Sequence, residues 1–251
     1  MKNKKKFLWG QFIRSVAVIA VPVALQNLLT TTGSMVDTMM IAPLGETTVG
    51  AVGLCAQFTS LMFSGYWGFV GGGMLFFAQY WGAKDDDGIN RAYGVTLCCM
   101  MTVGLIFCGL ATLAPQLVMR VYTDKTAIQE IGVRYLRIVG FAYPLQIYSM
   151  AMCALLRSTE RVKIPMYGAL FSVATNVVFN WLLIYGKFGL PALGVEGAAI
   201  ATVIARMVEM IVVWIYCFRV QKAIEIRPAD LVRHERWAWR DYCKFGLPVG
   251  P

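Results

Sequence analysis

Residues 164–185 read IPMYGALFSVATNVVFNWLLIY, a run without a charged side chain in which Asn176 and Asn180 stand among aromatic and aliphatic neighbours. About 20 apolar residues suffice for a helix to cross the roughly 30 Å hydrocarbon layer of a bilayer. The run therefore reads as a membrane span. Comparable runs cover residues 12–41, 49–81, 92–118, 128–156 and 198–218. They are too long and too evenly apolar for barrel strands, which alternate over about 10 residues, whereas a helix satisfies its backbone polar groups within itself. The expected fold is an all-α polytopic membrane protein, a bundle of six transmembrane helices.

Composition points the same way. The 251 residues are 58% apolar and 15% charged, with a mean hydropathy of +0.59, against about 25% charge in soluble domains. The formal charge of +9 would suggest nucleic acid if it were clustered on one folded surface. Here the basic residues sit between apolar runs, so no nucleic-acid partner is expected. Cys55, Cys98, Cys99, Cys108, Cys153 and Cys217 lie in apolar stretches without metal-ligand spacing, which supports neither a disulfide framework nor a zinc site. The lone His234 has no partner set for acid–base chemistry, and no catalytic constellation is present. The lysine-rich start resembles a signal-peptide n-region, but the following run is too long and lacks a cleavage site. It is expected to be retained as the first span.

Seventeen of the 23 Lys and Arg residues fall on the N-terminal side of the spans, five on the other, and Arg206 within the sixth. By the positive-inside rule the protein is a multi-pass component of the cytoplasmic membrane with its N-terminus in the cytoplasm. The connections are short and rich in Gly, Pro and charge, and Asp85-Asp86-Asp87-Gly88 reads as a solvated loop rather than a calcium site, lacking the alternating ligands and closing Glu. Three segments are expected: a six-helix lobe over 1–226, a cytoplasmic interfacial helix over 227–245 carrying Trp237, Trp239 and Tyr242, and the start of a seventh span at 246–251. Arg14, Ala20, Pro22 and Ala24 recur, 226 positions on, as Arg240, Gly246, Pro248 and Gly250. Such a restart suggests a parallel repeat of the kind found in duplicated transporters, with the chain as one half.

Polar side chains within the spans are the candidate functional residues. Asp37, late in the first span, either sits hydrated near the outer interface or needs a partner, a cavity or a proton, because a carboxylate at mid-bilayer costs about 2.5–3.5 kcal/mol on insertion scales. Asn176 and Asn180 are four apart and share a helix face. With a carboxylate they make a hard-oxygen cage for a small cation, and interhelical hydrogen bonding is the alternative. Arg206 and Glu209, three apart, read as a self-neutralising structural pair. Pro22 and Pro144 interrupt helices as hinges or as tolerated kinks. Gln26, Gln57, Gln146 and Tyr148 are the expected lining of a substrate cavity.

Several of these segments, taken in order, resemble the multidrug and toxic compound extrusion (MATE) family. They are Val36-Asp37-Thr38-Met39-Met40-Ile41-Ala42-Pro43-Leu44-Gly45, Gly82-Ala83-Lys84-Asp85 with Arg91, and Leu156-Arg157-Ser158 followed by Pro165. Residues Asn176 to Gly186 and Gly194 to Thr202 complete the set. The resemblance implies two six-helix lobes, of which this chain is the amino-terminal one and the C-terminal lobe its partner. It implies export of small organic, often cationic, compounds by alternating access, coupled to a proton or sodium ion, with membrane lipid as the surroundings, no cofactor, and no metal beyond a sodium at Asp37. It also implies a cation site of Asp37, Asn176, Asn180 and Thr202 with the Ala198 carbonyl nearby, and a bending role for Pro22. Some members carry Asp where this chain has Asn180, so a two-carboxylate site is absent and coupling is left to Asp37 or to the other half. The competing readings are a lipid-linked oligosaccharide flippase of the wider superfamily, which an arginine-rich cavity would favour, and a non-transporting membrane scaffold.

Overall fold

A computed structural model of the chain describes residues 9–189 and 191–220. The linker expected at 227–245, with His234, and the seventh-span start at 246–251 lie outside the described residues. Within them the order is α1 (Trp9–Ile41), a 3-10 turn (Ala42–Leu44), α2 (Glu46–Ala83), α3 (Asp86–Leu113) and α4 (Pro115–Tyr122). There follow α5 (Thr126–Val139), α6 (Ala142–Ser158), α7 (Lys163–Tyr185), α8 (Val195–Ile215) and a π turn at Tyr216–Val220. The described residues contain no strand. α1, α2, α3, α7 and α8 are long and apolar enough to cross a membrane, and α5 with α6, bent by 51° at their junction, meets the same measure as a pair.

Three boundaries differ from the sequence reading, each for a local reason. Asp85 is not in a solvated loop; it caps α3, its carboxylate accepting from the Gly88 amide at 2.9 Å, and Asp86 and Asp87 occupy the first turn. Acidic side chains are favoured there by the helix dipole. The third apolar run does not continue as one helix to Val118. Ala114 precedes Pro115, and a residue before proline is pushed out of helical geometry while proline itself suits the first position of a new helix. The short α4 that results buries Val118 and Met119.

The fourth span is likewise broken, at Gly140–Phe141 rather than at Pro144. Pro144 sits in the first turn of α6, where its missing amide leaves no helical bond unmade. The freed backbone groups re-pair locally: the Gly140 amide donates to Leu136 at 2.8 Å, Phe141 to Ile138 at 3.2 Å and Tyr143 to Gly140 at 3.3 Å. Pro22, in contrast, is buried within an uninterrupted α1.

α7 packs most extensively on α8 and then on α1, while α2 packs on α3 and α5. Small residues permit the closest approaches, as is usual between membrane helices. A Cβ on Gly197 would lie 2.7 Å from the backbone of Leu183, so α8 starts directly against α7. Tyr66, Phe77, Tyr93 and Ile147 fill the centre between α2, α3 and α6, fully buried. Leu28, Met39, Phe171 and Trp181 stay exposed on α1 and α7, a surface suited to hydrocarbon rather than water.

Candidate functional site

Every described long helix except α3 contributes to one open chamber of about 330 Å³. Its wall includes Asp37 on α1, Thr59 on α2, Tyr135 on α5, Tyr143 and Gln146 on α6, Asn176 on α7, and Thr202 and Arg206 on α8. The bend between α5 and α6 opens onto it, with Val139 and Ala142 on either side of the break. Irregular backbone at membrane depth is tolerated where it lines a cavity.

Asp37 is half-buried in the wall of this open chamber. The amide of Asn180, fully buried, donates to Asp37 Oδ1 at 2.5 Å and to Asn176 Oδ1 at 3.1 Å. One nitrogen thus bridges the carboxylate and the second asparagine. The i, i+4 spacing on α7 makes this bridge, since it stacks both amides on the face turned toward α1. Asn180 Oδ1 is buried without a hydrogen-bond partner among the described residues. An unpaired buried acceptor is costly, and it is where a cation or a donor is stabilised.

Five hydroxyls around the chamber share one polarity. Thr30, Ser34, Thr59, Ser60 and Thr202 each donate to a carbonyl of their own helix, Thr202 to Ala198 at 3.0 Å. Each therefore turns lone pairs outward. Together with Asp37 and Asn176 they make an oxygen-rich wall, the donor chemistry preferred by small hard cations. No cluster of three or more His, Cys, Asp or Glu occurs among the described residues.

The residues expected from sequence separate into two groups. Asn180 bonds to Asp37 and Asn176, Thr202 bonds separately to the Ala198 carbonyl, and Asp37, Asn176 and Thr202 line the same chamber; Arg206 Nη1 lies 2.7 Å from Glu209 Oε2. Of the expected substrate lining only Gln146 faces the chamber. Gln26 is buried elsewhere, its Oε1 accepting from Arg157 Nη2 at 2.8 Å. Gln57 lies exposed on α2, and Tyr148 is half-buried on α6, outside the lining. A polar side chain in an apolar span can answer another helix instead of a cavity, and spacing alone does not tell which. Sequence reading missed Tyr135, Ser172 and the Thr59–Tyr143 hydroxyl pair at 3.1 Å. The one available signal was the i, i+4 stacking of Ser172 with Asn176 on α7.

A bundle of apolar spans, one of them broken beside a polar chamber that holds a single carboxylate, has the architecture of a polytopic membrane transporter. The MatE family model matches residues 22–182, and the chain belongs to that family. It is 28% identical over 216 residues to the probable multidrug resistance protein YoeA of Bacillus subtilis, covering 86% of this chain and 46% of YoeA. It is 31% identical over 185 residues to the probable multidrug resistance protein NorM of Geobacillus kaustophilus, covering 69% and 38%. The chain thus spans about half the length of the curated relatives it matches. Its fold superposes on MATE solved in a bent conformation and in a straight conformation, each with TM-score 0.81 and 20% identity over 94% of this chain and 52% of theirs.

Proposed function

We propose that this chain is a lobe of a transporter that exports small organic, often cationic, compounds across the cytoplasmic membrane, with its N-terminus in the cytoplasm. Export is exchanged against a proton or a sodium ion by alternating access. The carrying observation is the position of Asp37, in a chamber lined from six helices and hydrogen-bonded by the buried amide of Asn180. Membership of the MatE family and the multidrug names of the relatives support the same reading.

The chemistry proceeds through one negative charge shared between two claimants. An organic cation in the chamber neutralises Asp37, and so does a proton or sodium ion, so the two compete for it. Asn180 is the exchangeable element. With its nitrogen toward Asp37 it occupies the carboxylate; turned over, it offers Oδ1 instead and adds a third oxygen to those of Asp37 and Asn176. The coupling ion changes the balance of conformations only by its differential affinity for them, and a carboxylate shared among α1 and α7 groups supplies that difference when the helices move apart.

The test is Asp37→Asn in the complete transporter, expressed in an efflux-deficient strain loaded with ethidium. Energised efflux is expected to disappear while the amount in the membrane is unchanged. Export at the wild-type rate with normal expression overturns the role of Asp37.

A further inference from the structure

The stretch Leu156-Arg157-Ser158 stands outside the chamber lining and closes α6, where its side chains take hold of other elements. Arg157 Nη2 donates to Gln26 Oε1 on α1 at 2.8 Å. Ser158 Oγ, 3.0 Å from the Ala154 carbonyl of its own helix, reaches the Met74 carbonyl on α2 at 3.4 Å. Just past the helix, Arg161 Nη1 donates to the Tyr216 hydroxyl after α8 at 3.1 Å. α1 otherwise packs chiefly on α7, where Asn180 and Tyr185 bond Asp37 and the Met40 carbonyl near its far end. Arg157 therefore grips the opposite part of α1. Gln26 and Gly33 are buried and Asp37 is half-buried, and on a helix these three positions fall within about 40° of one another around the axis. The inward stripe of α1 that meets the chamber at Gly33 and Asp37 thus continues to Gln26, roughly 10 Å beyond Gly33 toward the start of the helix. The Gln26–Arg157 bond crosses from α1 to α6 between the chamber and the end of the bundle where α1 begins.

The contact is also incompletely satisfied. Arg157 Nε is buried without a hydrogen-bond partner among the described residues. A buried unpaired donor is costly. Water that reaches it when α1 and α6 part removes this cost and offsets some of the lost bond, which suits a contact that opens and closes better than a permanent anchor. We infer that Arg157 and Gln26 form a latch: closed, it seals the chamber on the side where α1 begins, and it opens when access turns to that side. Ser158 and Arg161 hold α6 in place, so α1 is the member that leaves. The latch rests on the alternating-access part of the proposed export and adds to it the contact that sets how often the cytoplasmic side opens. A hydrogen bond present in one conformation and absent from the other biases their populations by its own strength, about tenfold or more where one partner is charged.

The experiment reads access directly. Ala56, exposed in the chamber wall on α2, is replaced by cysteine in the complete transporter freed of its native cysteines. Labelling by a membrane-impermeant maleimide is then timed in inside-out and in right-side-out vesicles. Gln26→Met removes the acceptor and is expected to raise the ratio of inside-out to right-side-out labelling rates by about tenfold. Gln26→Glu gives the guanidinium a carboxylate and is expected to lower the ratio below that of wild type. Opposite signs distinguish a latch from a packing role, in which both substitutions disturb the same helix contact. If Gln26→Met fails to fold, Gln26→Met with Arg157→Met, which strands no buried donor, is read in its place. An unchanged ratio without the acceptor, or a shift of the same sign with Gln26→Glu, overturns the latch and leaves the export reading standing. Labelling from one side alone in wild type and in every variant overturns alternating access and the latch with it.

Discussion

Replacing Gly197 by alanine tests how the α7–α8 contact holds the chamber together. An ideal Cβ at Gly197 would lie 2.7 Å from the carbonyl carbon and oxygen of Leu183 and 3.0 Å from its Cβ. Comfortable separations between such atoms are about 3.5–4.0 Å. The obstructing atoms are helix backbone, so relief requires α8 to move off α7 by most of an ångström. Overpacking of this kind costs about 1–3 kcal/mol, and the stiffer alanine backbone returns up to about 1 kcal/mol. A net loss of about 1–2 kcal/mol lowers the melting midpoint by roughly 2–8 °C in a protein of this size.

Gly53→Ala is the control, because a Cβ there meets nothing within 4 Å, and it is expected to be neutral or slightly stabilising. Melting in detergent followed by size-exclusion fluorescence reads the difference, and ethidium binding reads its consequence. The shift separates Thr202 and Arg206 on α8 from Asn176 and Asn180 on α7, so affinity falls with stability. Equal midpoints and equal ethidium affinity for Gly197→Ala and Gly53→Ala would refute the reasoning.

Other perturbations probe single contacts. Gln26→Ala leaves the Arg157 guanidinium, whose Nε is already buried without a partner, short of its acceptor; a loss of about 1–3 kcal/mol is expected in denaturant melts, and Arg157→Met combined with Gln26→Leu should recover part of it. Tyr143→Phe and Thr59→Val each remove one end of the 3.1 Å hydroxyl pair and should each cost about 1 kcal/mol. Their double variant should cost less than the sum, since the second change finds the bond already gone. Asp85→Ala, removing the side-chain cap on Gly88, should cost about 0.5–2 kcal/mol, and Asp85→Asn should restore most of it.

What the sequence made legible follows from how its signals are physically carried. Hydropathy reports the transfer of a segment into hydrocarbon, and that sum is nearly blind to a break of one or two residues. Residues 128–156 accordingly read as one span although the helix stops at Val139 and restarts at Ala142. The clue was Pro144, whose position fits the first turn of a new helix rather than the middle of an old one. Asp85-Asp86-Asp87 misled in the opposite direction, because acidic residues mark both solvated loops and helix starts, and only the cap geometry distinguishes them. The cluster around Asp37 was legible because Asn176 and Asn180 repeat at the period of a helix, whereas Gln26, Gln57 and Tyr148 carried polarity without any such register.

Arg206 and Glu209 show where spacing runs out. Three residues apart on α8, they pair, and pairing alone implies a sealed structural bridge. The unequal exposure of the two side chains depends on the wall opposite them, on α1, α2 and α6, and no local pattern in α8 encodes it. A bridge buried on both sides would be replaceable by apolar residues at little cost. Breaking it from one side would not be, because the buried Glu209 carboxylate then loses its cation. The separation between those two outcomes is measurable. Arg206→Met with Glu209→Met should leave the melting midpoint near that of wild type, whereas Arg206→Met alone should lower it, and equal midpoints for the two variants would refute the pairing argument.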